Sequence, residues 1–165
     1  MVITQVIRNS TAVDVRQTID YLYIEWYQTT KRLQRLTTMQ GEAVAIRFLG
    51  KGQVLNEGDI LFESDEKVIM VSILPCEVIS LQLQTKIEMA LIAYEIGNKH
   101  VPLFVEDYSL YMPYERPMYN WLKHQGYAPI IEQKALRFPL NANVDFDQHK
   151  KFSFTLPKKG LVLKV

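Results

Sequence analysis

Pro75 divides the chain into two halves whose hydrophobic patterns differ, so each half demands a fold of its own. Before it, short runs of β-branched and aromatic residues alternate with turn signals. Val2 to Ile7 has strand composition and runs into the turn-prone Asn9-Ser10; Asp20 to Trp26 is dense in aromatic and β-branched residues. Lys31-Arg32-Leu33-Gln34-Arg35 alternates enough for a strand with one solvated face. Glycines at Gly41, Gly50, Gly52 and Gly58 punctuate Ala43 to Leu49 and Ile60 to Phe62, and Asp65-Glu66-Lys67 turns into Val68 to Leu74. Strands this short, at this spacing, predict a small β sandwich or barrel over residues 1–75.

After Pro75 the period lengthens. Val78 to Leu83 reads as a strand. Leu83, Ile87, Ala90, Leu91 and Tyr94 then form an apolar stripe at i, i+4, i+7, i+8 and i+11, which predicts an amphipathic helix. Thr85 and Glu88 make a capping-box pattern at its start, and Gly97 is the natural left-handed residue at its end. Val101 to Val105 and Ser109 to Met112 pair as a hairpin across Glu106-Asp107. A second helix starts near Glu115, with Pro117 in its first turn, an apolar face of Met118, Trp121 and Leu122, and Gly126 as its stop. Ile130-Ile131 opens a last strand reaching toward Phe138. The order β-α-β-β-α-β over residues 76–140 is the ferredoxin-like arrangement. Residues 141–165 form a flexible C-terminal tail, irregular through Asn141-Ala142-Asn143, in which Phe152 to Val165 alternates as an added strand does. The expected class is therefore α+β, a small β domain ahead of a ferredoxin-like one.

Charge and cysteine content narrow the function. Nineteen basic and 18 acidic residues leave a net charge of +1, which gives no electrostatic case for nucleic acid or an anionic membrane. Cys76 is the only cysteine, so no intramolecular disulfide forms and an oxidising compartment has no support. The N-terminus lacks a basic, then apolar, leader pattern, and no apolar run approaches a membrane span. A cytoplasmic protein is the expectation.

His100 is one of three histidines. From position alone it is a polar loop residue, satisfied by water or a carbonyl. Scarcity raises the alternative: one imidazole holds a metal poorly, but two related by a dimer axis can hold nickel, copper or zinc. His149, in Asp147-Gln148-His149-Lys150-Lys151, reads as a solvated tail residue or as a supplementary ligand. His124 sits late in the second helix, where a positive side chain favours the helix end, and is taken as structural. Cys76 reads as a small buried apolar residue. Lys31, Arg32 and Arg35 are either a solvated strand face or a docking surface for an acidic partner. No zinc-protease, Walker or paired-cysteine motif occurs, and no acid–base constellation supports an enzyme. A nucleic-acid or ribosome-binding module is the alternative class, weakened by the charge balance and by the lack of an aromatic RNA-binding motif.

Together these residues resemble the UreE family, nickel carriers of urease maturation. Gly97-Asn98-Lys99-His100 is similar to the family's signature loop, usually Gly-Asn-Arg-His. Ile24-Glu25-Trp26, Lys31-Arg32, Thr37, Gly41, Ala45-Ile46-Arg47 and Gly58-Asp59-Ile60-Leu61 resemble its N-terminal domain. Tyr114-Glu115-Arg116-Pro117, Leu122 and Gly126 resemble the second helix of its metal-binding domain. The resemblance covers nearly the full chain and is nearest to the form of Helicobacter-type ureolytic bacteria.

That resemblance implies an N-terminal domain for protein contact and a homodimer through the second domain. His100 of both protomers meets one nickel ion, with His149 where some members place a tail histidine. The metal passes to the accessory GTPase UreG and the urease apoprotein complex. Apart from the resemblance, a nitrogen site is expected to take zinc or copper in vitro, and dimer and metal-linked tetramer both stay open. The sequence departs from the family in three places. It lacks a histidine-rich tail, has Tyr114 and Arg116 where many members carry histidines, and has Lys99 for the usual arginine. The first two argue for few metals per dimer; the third keeps charge without the bidentate fork.

Overall fold

The strand-forming runs of the first half sort into two sheets, and among the described residues the α-helices lie in the second half. The computed structural model describes residues 1–9, 17–50, 54–137 and 139–140. The fold is mixed α+β, and the chain forms two compact units that part between Leu74 and Pro75. The tail assigned to residues 141–165, His149 included, lies outside the described residues.

In the first unit the strands are β1 (Val2–Ile3), β2 (Arg8–Asn9), β3 (Thr18–Ile24), β4 (Leu33–Thr37), β5 (Ala43–Arg47), β6 (Asp59–Glu63) and β7 (Lys67–Ile73). One sheet has the order β1-β5-β4 and the other β2-β6-β7-β3. The strand expected from Val2 to Ile7 breaks after Ile3 because the chain changes sheets there. β1 pairs with β5, whereas Ile7 N–H already donates to the Ile60 carbonyl at 2.9 Å. The strand expected to reach Trp26 stops at Ile24; Trp26–Gln28 form a short 3-10 turn, and the Gln28 side chain accepts the Glu25 N–H at 2.7 Å. β3 runs parallel to β7, from Thr18↔Lys67 to Ile24↔Ile73. β7 is buried along most of its length, as a strand flanked on both faces must be.

Asp20 points inward from β3 and is fully buried. Its Oδ1 accepts the Gln40 N–H at 3.0 Å, and its Oδ2 lies 3.0 Å from Lys67 Nζ, which also meets Glu42 Oε2 at 2.7 Å. Burial pushes the carboxyl up, but the Thr38 hydroxyl, the Gln40 amide and the Lys67 ammonium outweigh it and hold Asp20 below its ordinary value. The network ties β3 and β7 to the 38–42 turn.

The second unit runs β8 (Cys76–Gln82), α1 (Lys86–Asn98), β9 (Phe104–Glu106), β10 (Ser109–Pro113), α2 (Arg116–His124) and β11 (Ile130–Lys134), in a sheet of order β11-β8-β10-β9. Register places Leu110 beside Leu81 and Met112 beside Ile79 on one face. Ile92 and Ile96 of α1 and Met118 and Leu122 of α2 join them in one buried cluster, so both helices cover that face. Each such side chain contributes about 1.5–3 kcal/mol by leaving water. Beyond β11 the chain passes from one sheet edge to the other: Pro139 bridges to Phe104 of β9, and Leu140 N–H donates to the Leu103 carbonyl at 2.7 Å.

Two helix expectations are corrected. The stripe of Ile87, Leu91 and Tyr94 does not face the core; these residues are 74%, 63% and 69% exposed. The core takes the other row, Ile92 and Ile96, because α1 is apolar on both sides. Gly97 is not the left-handed residue either. The helix continues through it to Asn98, and the positive φ, 55°, falls on His100.

Candidate metal centre

The site is built by how α1 begins and ends. Thr85 is extended, and its Oγ1 accepts the Glu88 N–H at 3.1 Å, as the capping pattern requires. The return bond goes one residue further back than the standard box: Glu88 Oε2 accepts the Gln84 N–H at 3.0 Å. These bonds fix the helix start, so its last turn arrives in a defined orientation.

At the other end the chain must reverse at once, because Val101 and Leu103 are buried immediately after the helix. Lys99 N–H donates to Ile96 O at 3.0 Å and His100 N–H to Gly97 O at 2.9 Å. With Lys99 as cap, His100 is the left-handed C′ residue, and Val101 follows it into the cluster that holds Ile96. Glycine is the usual residue at C′; histidine is uncommon in the left-handed region, though enriched there over most side chains. His100 is exposed. Its imidazole is thus held on a rigid turn between two buried anchors and open to approach.

A second element steadies the turn. Lys99 Nζ lies 4.4 Å from the ring centroid of Trp121 on α2, close enough for a cation–π contact. Trp121 also lines a cleft of about 300 Å³ with Leu91, Ile92, Glu95, Gln125 and Tyr127. Sequence reasoning placed Trp121 only on the apolar face of its helix; no spacing signal joins it to Lys99. The lysine that stands for the usual arginine keeps a stacking partner.

The exposed stripe leads to the same turn. Asn98 continues the row of Ile87, Leu91 and Tyr94 by helical spacing, is itself exposed, and precedes the His100 turn by one residue. Nothing lies within 4 Å of a Cβ built on Gly97. A helix-interior glycine costs about 1 kcal/mol against alanine, and no packing among the described residues demands one there.

Among the described residues no three histidine, cysteine, aspartate or glutamate side chains gather to hold a metal. His124 lies exposed in the last turn of α2, the position that favours a cation. Cys76 is buried at the start of β8, its Sγ 3.8 Å from the Lys134 carbonyl. Lys134 itself pairs with Glu106 at 2.7 Å; its hydrogen bond to that carboxylate raises its pKa. Among the described residues, His100 is thus an exposed imidazole set on a left-handed turn. No helix among the described residues is long and apolar enough to cross a membrane.

Comparison with known proteins addresses the whole chain. The family model of the UreE urease accessory protein N-terminal domain matches residues 3–74, and that of its C-terminal domain residues 76–151. A urease accessory protein UreE from Flavobacterium johnsoniae is 43% identical over 109 residues, 66% of each chain. One from Haemophilus influenzae is 40% identical over 147 residues, 86% of this chain and 80% of its own. One from Helicobacter hepaticus is 33% identical over 154 residues, 87% of this chain and 88% of its own.

Proposed function

We propose, since the chain belongs to the UreE family of urease accessory proteins, that its part in urease maturation is to carry nickel. The family is one of accessory proteins, not enzymes. In this reading the chain is a cytoplasmic metallochaperone that delivers Ni(II) to the urease active site during assembly. The observation that carries it is an exposed histidine in the left-handed region, at the end of an exposed apolar helix row.

The chemistry follows from His100 as the imidazole that each chain brings to the dimer axis. A ferredoxin-like second unit dimerises by covering Ile87, Leu91 and Tyr94 with the same row of a second copy, an isologous contact. The two His100 turns then meet at the axis and share one nickel. The open space at Gly97 supports a close approach of backbones there. His149, outside the described residues, supplies a further ligand from the tail. A site with so few protein donors keeps open positions and releases its metal readily, which suits hand-over to UreG and the urease apoprotein complex. Affinity alone does not select nickel, since copper(II) binds nitrogen sites more tightly; zinc and copper are expected to bind in vitro. Metal capture weakens in acid because the imidazole must be neutral to ligate. Metal-linked tetramers form where two dimers share an ion.

Calorimetric titration of nickel into wild type, His100→Ala and His149→Ala tests this. One nickel per dimer is expected for wild type, and none of comparable affinity for His100→Ala. If His100→Ala binds as tightly as wild type, the proposed site is wrong. If His149→Ala alters neither nickel nor zinc affinity, the tail histidine is only a solvated residue.

A further inference from the structure

The three-stranded sheet of the first unit has one buried and one solvated face. Ile3, Val44 and Ile46 turn inward, with at most 6% of each exposed. Val2, Leu33, Arg35, Ala45 and Arg47 share the other face, since Leu33 pairs with Arg47, and Arg35 and Val2 both pair with Ala45. Val2 and Leu33 are 63% and 69% exposed. These five side chains line a groove of about 480 Å³ on that face. Its apolar floor carries two guanidinium groups and no carboxylate. Neither Arg35 nor Arg47 has an ion-pair partner among the described residues.

The groove lies along an open strand edge. Phe48 N–H donates to the Arg32 carbonyl at 2.8 Å, and Thr38 N–H to the Glu42 carbonyl at 2.9 Å. Antiparallel pairing alternates, so the even-numbered residues of β4 bond to β5. The amides and carbonyls of Leu33, Arg35 and Thr37 point away from it. They have no hydrogen-bond partner among the described residues. Such an edge is a template for another strand unless something blunts it. Here the only charge on the edge strand is positive, which repels a basic strand and attracts an acidic one.

We propose that the outer face and open edge of β4 receive an extended, acidic segment of a partner protein as an added strand. Main-chain hydrogen bonds to Leu33, Arg35 and Thr37 give the register, and alternate carboxylates of the segment meet Arg35 and Arg47. Apolar side chains beside them cover Val2, Leu33 and Ala45. The basic cluster at residues 31–35 thereby gains a definite ligand class. The proposal rests on the first unit alone and stands whether or not His100 holds a metal.

The probe is a fluorescein-labelled peptide of alternating glutamate and valine, read by anisotropy against the full chain. Wild type is expected to bind it saturably, more weakly as salt rises. Affinity is expected to fall about tenfold in Thr37→Pro, which loses one main-chain contact, and by more than that in Arg35→Glu/Arg47→Glu, which loses two ionic contacts. Thr37→Pro keeps both arginines and removes one outward N–H, a change an edge strand tolerates. If either variant loses its circular dichroism, Leu33→Asp, which alters only an exposed side chain, replaces it. No saturable binding, equal binding of the lysine–valine peptide, or binding that survives the variants overturns the proposal. Unchanged affinity after N-methylation of alternate peptide amides overturns strand addition. Displacement by a single-stranded oligonucleotide gives the face to nucleic acid instead. Self-association of the chain that Thr37→Pro abolishes gives it to a second copy.

Discussion

Replacing His100 with glycine separates what the backbone pays from what the imidazole does. His100 holds a φ of 55°. An L-residue in that region loses about 1–2 kcal/mol, with histidine toward the lower end. Glycine enters it freely but gives up about 0.5–1 kcal/mol of chain entropy on folding. The hydrogen bond that the turn makes at this residue, N–H to Gly97 O at 2.9 Å, is backbone and survives the change. In chelator the variant should therefore equal wild type or exceed it by up to about 1 kcal/mol. Nickel reverses the order. At free nickel a hundredfold above Kd, wild type gains about 2.7 kcal/mol per site, shared by the dimer, and the glycine variant gains none. Urea unfolding followed by helical circular dichroism reads the right unit, because α1 and α2 both lie beyond Pro75. All samples are compared at one protein concentration. His100→Asn, which tolerates the left-handed turn but lacks the ring, should match wild type in chelator and fail to respond to nickel. A glycine variant much less stable than wild type in chelator would show that the imidazole holds the turn together. A variant that still gains stability from nickel would place the metal elsewhere.

Gly97→Ala should stabilise the helix of an isolated chain by up to about 1 kcal/mol, since alanine meets nothing within 4 Å, yet weaken the dimer in sedimentation. Unchanged dimerisation would mean that no second backbone approaches there. Leu91→Asp should shift sedimentation toward monomer and lower nickel stoichiometry; a wild-type dimer would remove the exposed row from the interface. Thr85→Ala should cost about 1 kcal/mol in urea unfolding by orphaning the Glu88 N–H. Asp20 has a lowered folded-state pKa, so its stabilisation is present above the ordinary carboxylate value of 3.8 and is lost as pH falls through the lower folded value. Asp20→Asn should therefore flatten the acid limb of stability against pH; an unaltered limb would assign acid unfolding to other carboxylates.

The parts of the fold that local chemistry decides are legible in the sequence. Thr85 with Glu88, Pro117 after Glu115, and Gly126 at φ 86° mark the helix ends because each satisfies or frees backbone groups within a few residues. The parallel pairing of β3 with β7 is not legible, because it joins residues about fifty positions apart and leaves no local pattern. The break after Ile3 is hidden for the same reason: Ile3 and Ile7 look alike, and only their distant partners send them to different sheets. Helix α1 ends at Asn98 and not Gly97 because the burial of Val101 and Leu103 sets where the chain must turn.

The exposed row of α1 marks a different limit. Hydrophobic period identifies a helix and its apolar rows, but α1 has two: Ile92 with Ile96, and Ile87 with Leu91 and Tyr94. Period cannot say which row the chain buries by itself. The sheet settles that by supplying Ile79, Leu81, Leu110 and Met112 for the first row only. The second stays exposed, and His100 with it. Scarcity alone drew attention to His100; exposure and a left-handed backbone now make it a residue that the fold displays without using. The counterpart ligand in the dimer reading is the same residue of another copy, which no pattern along one sequence can represent.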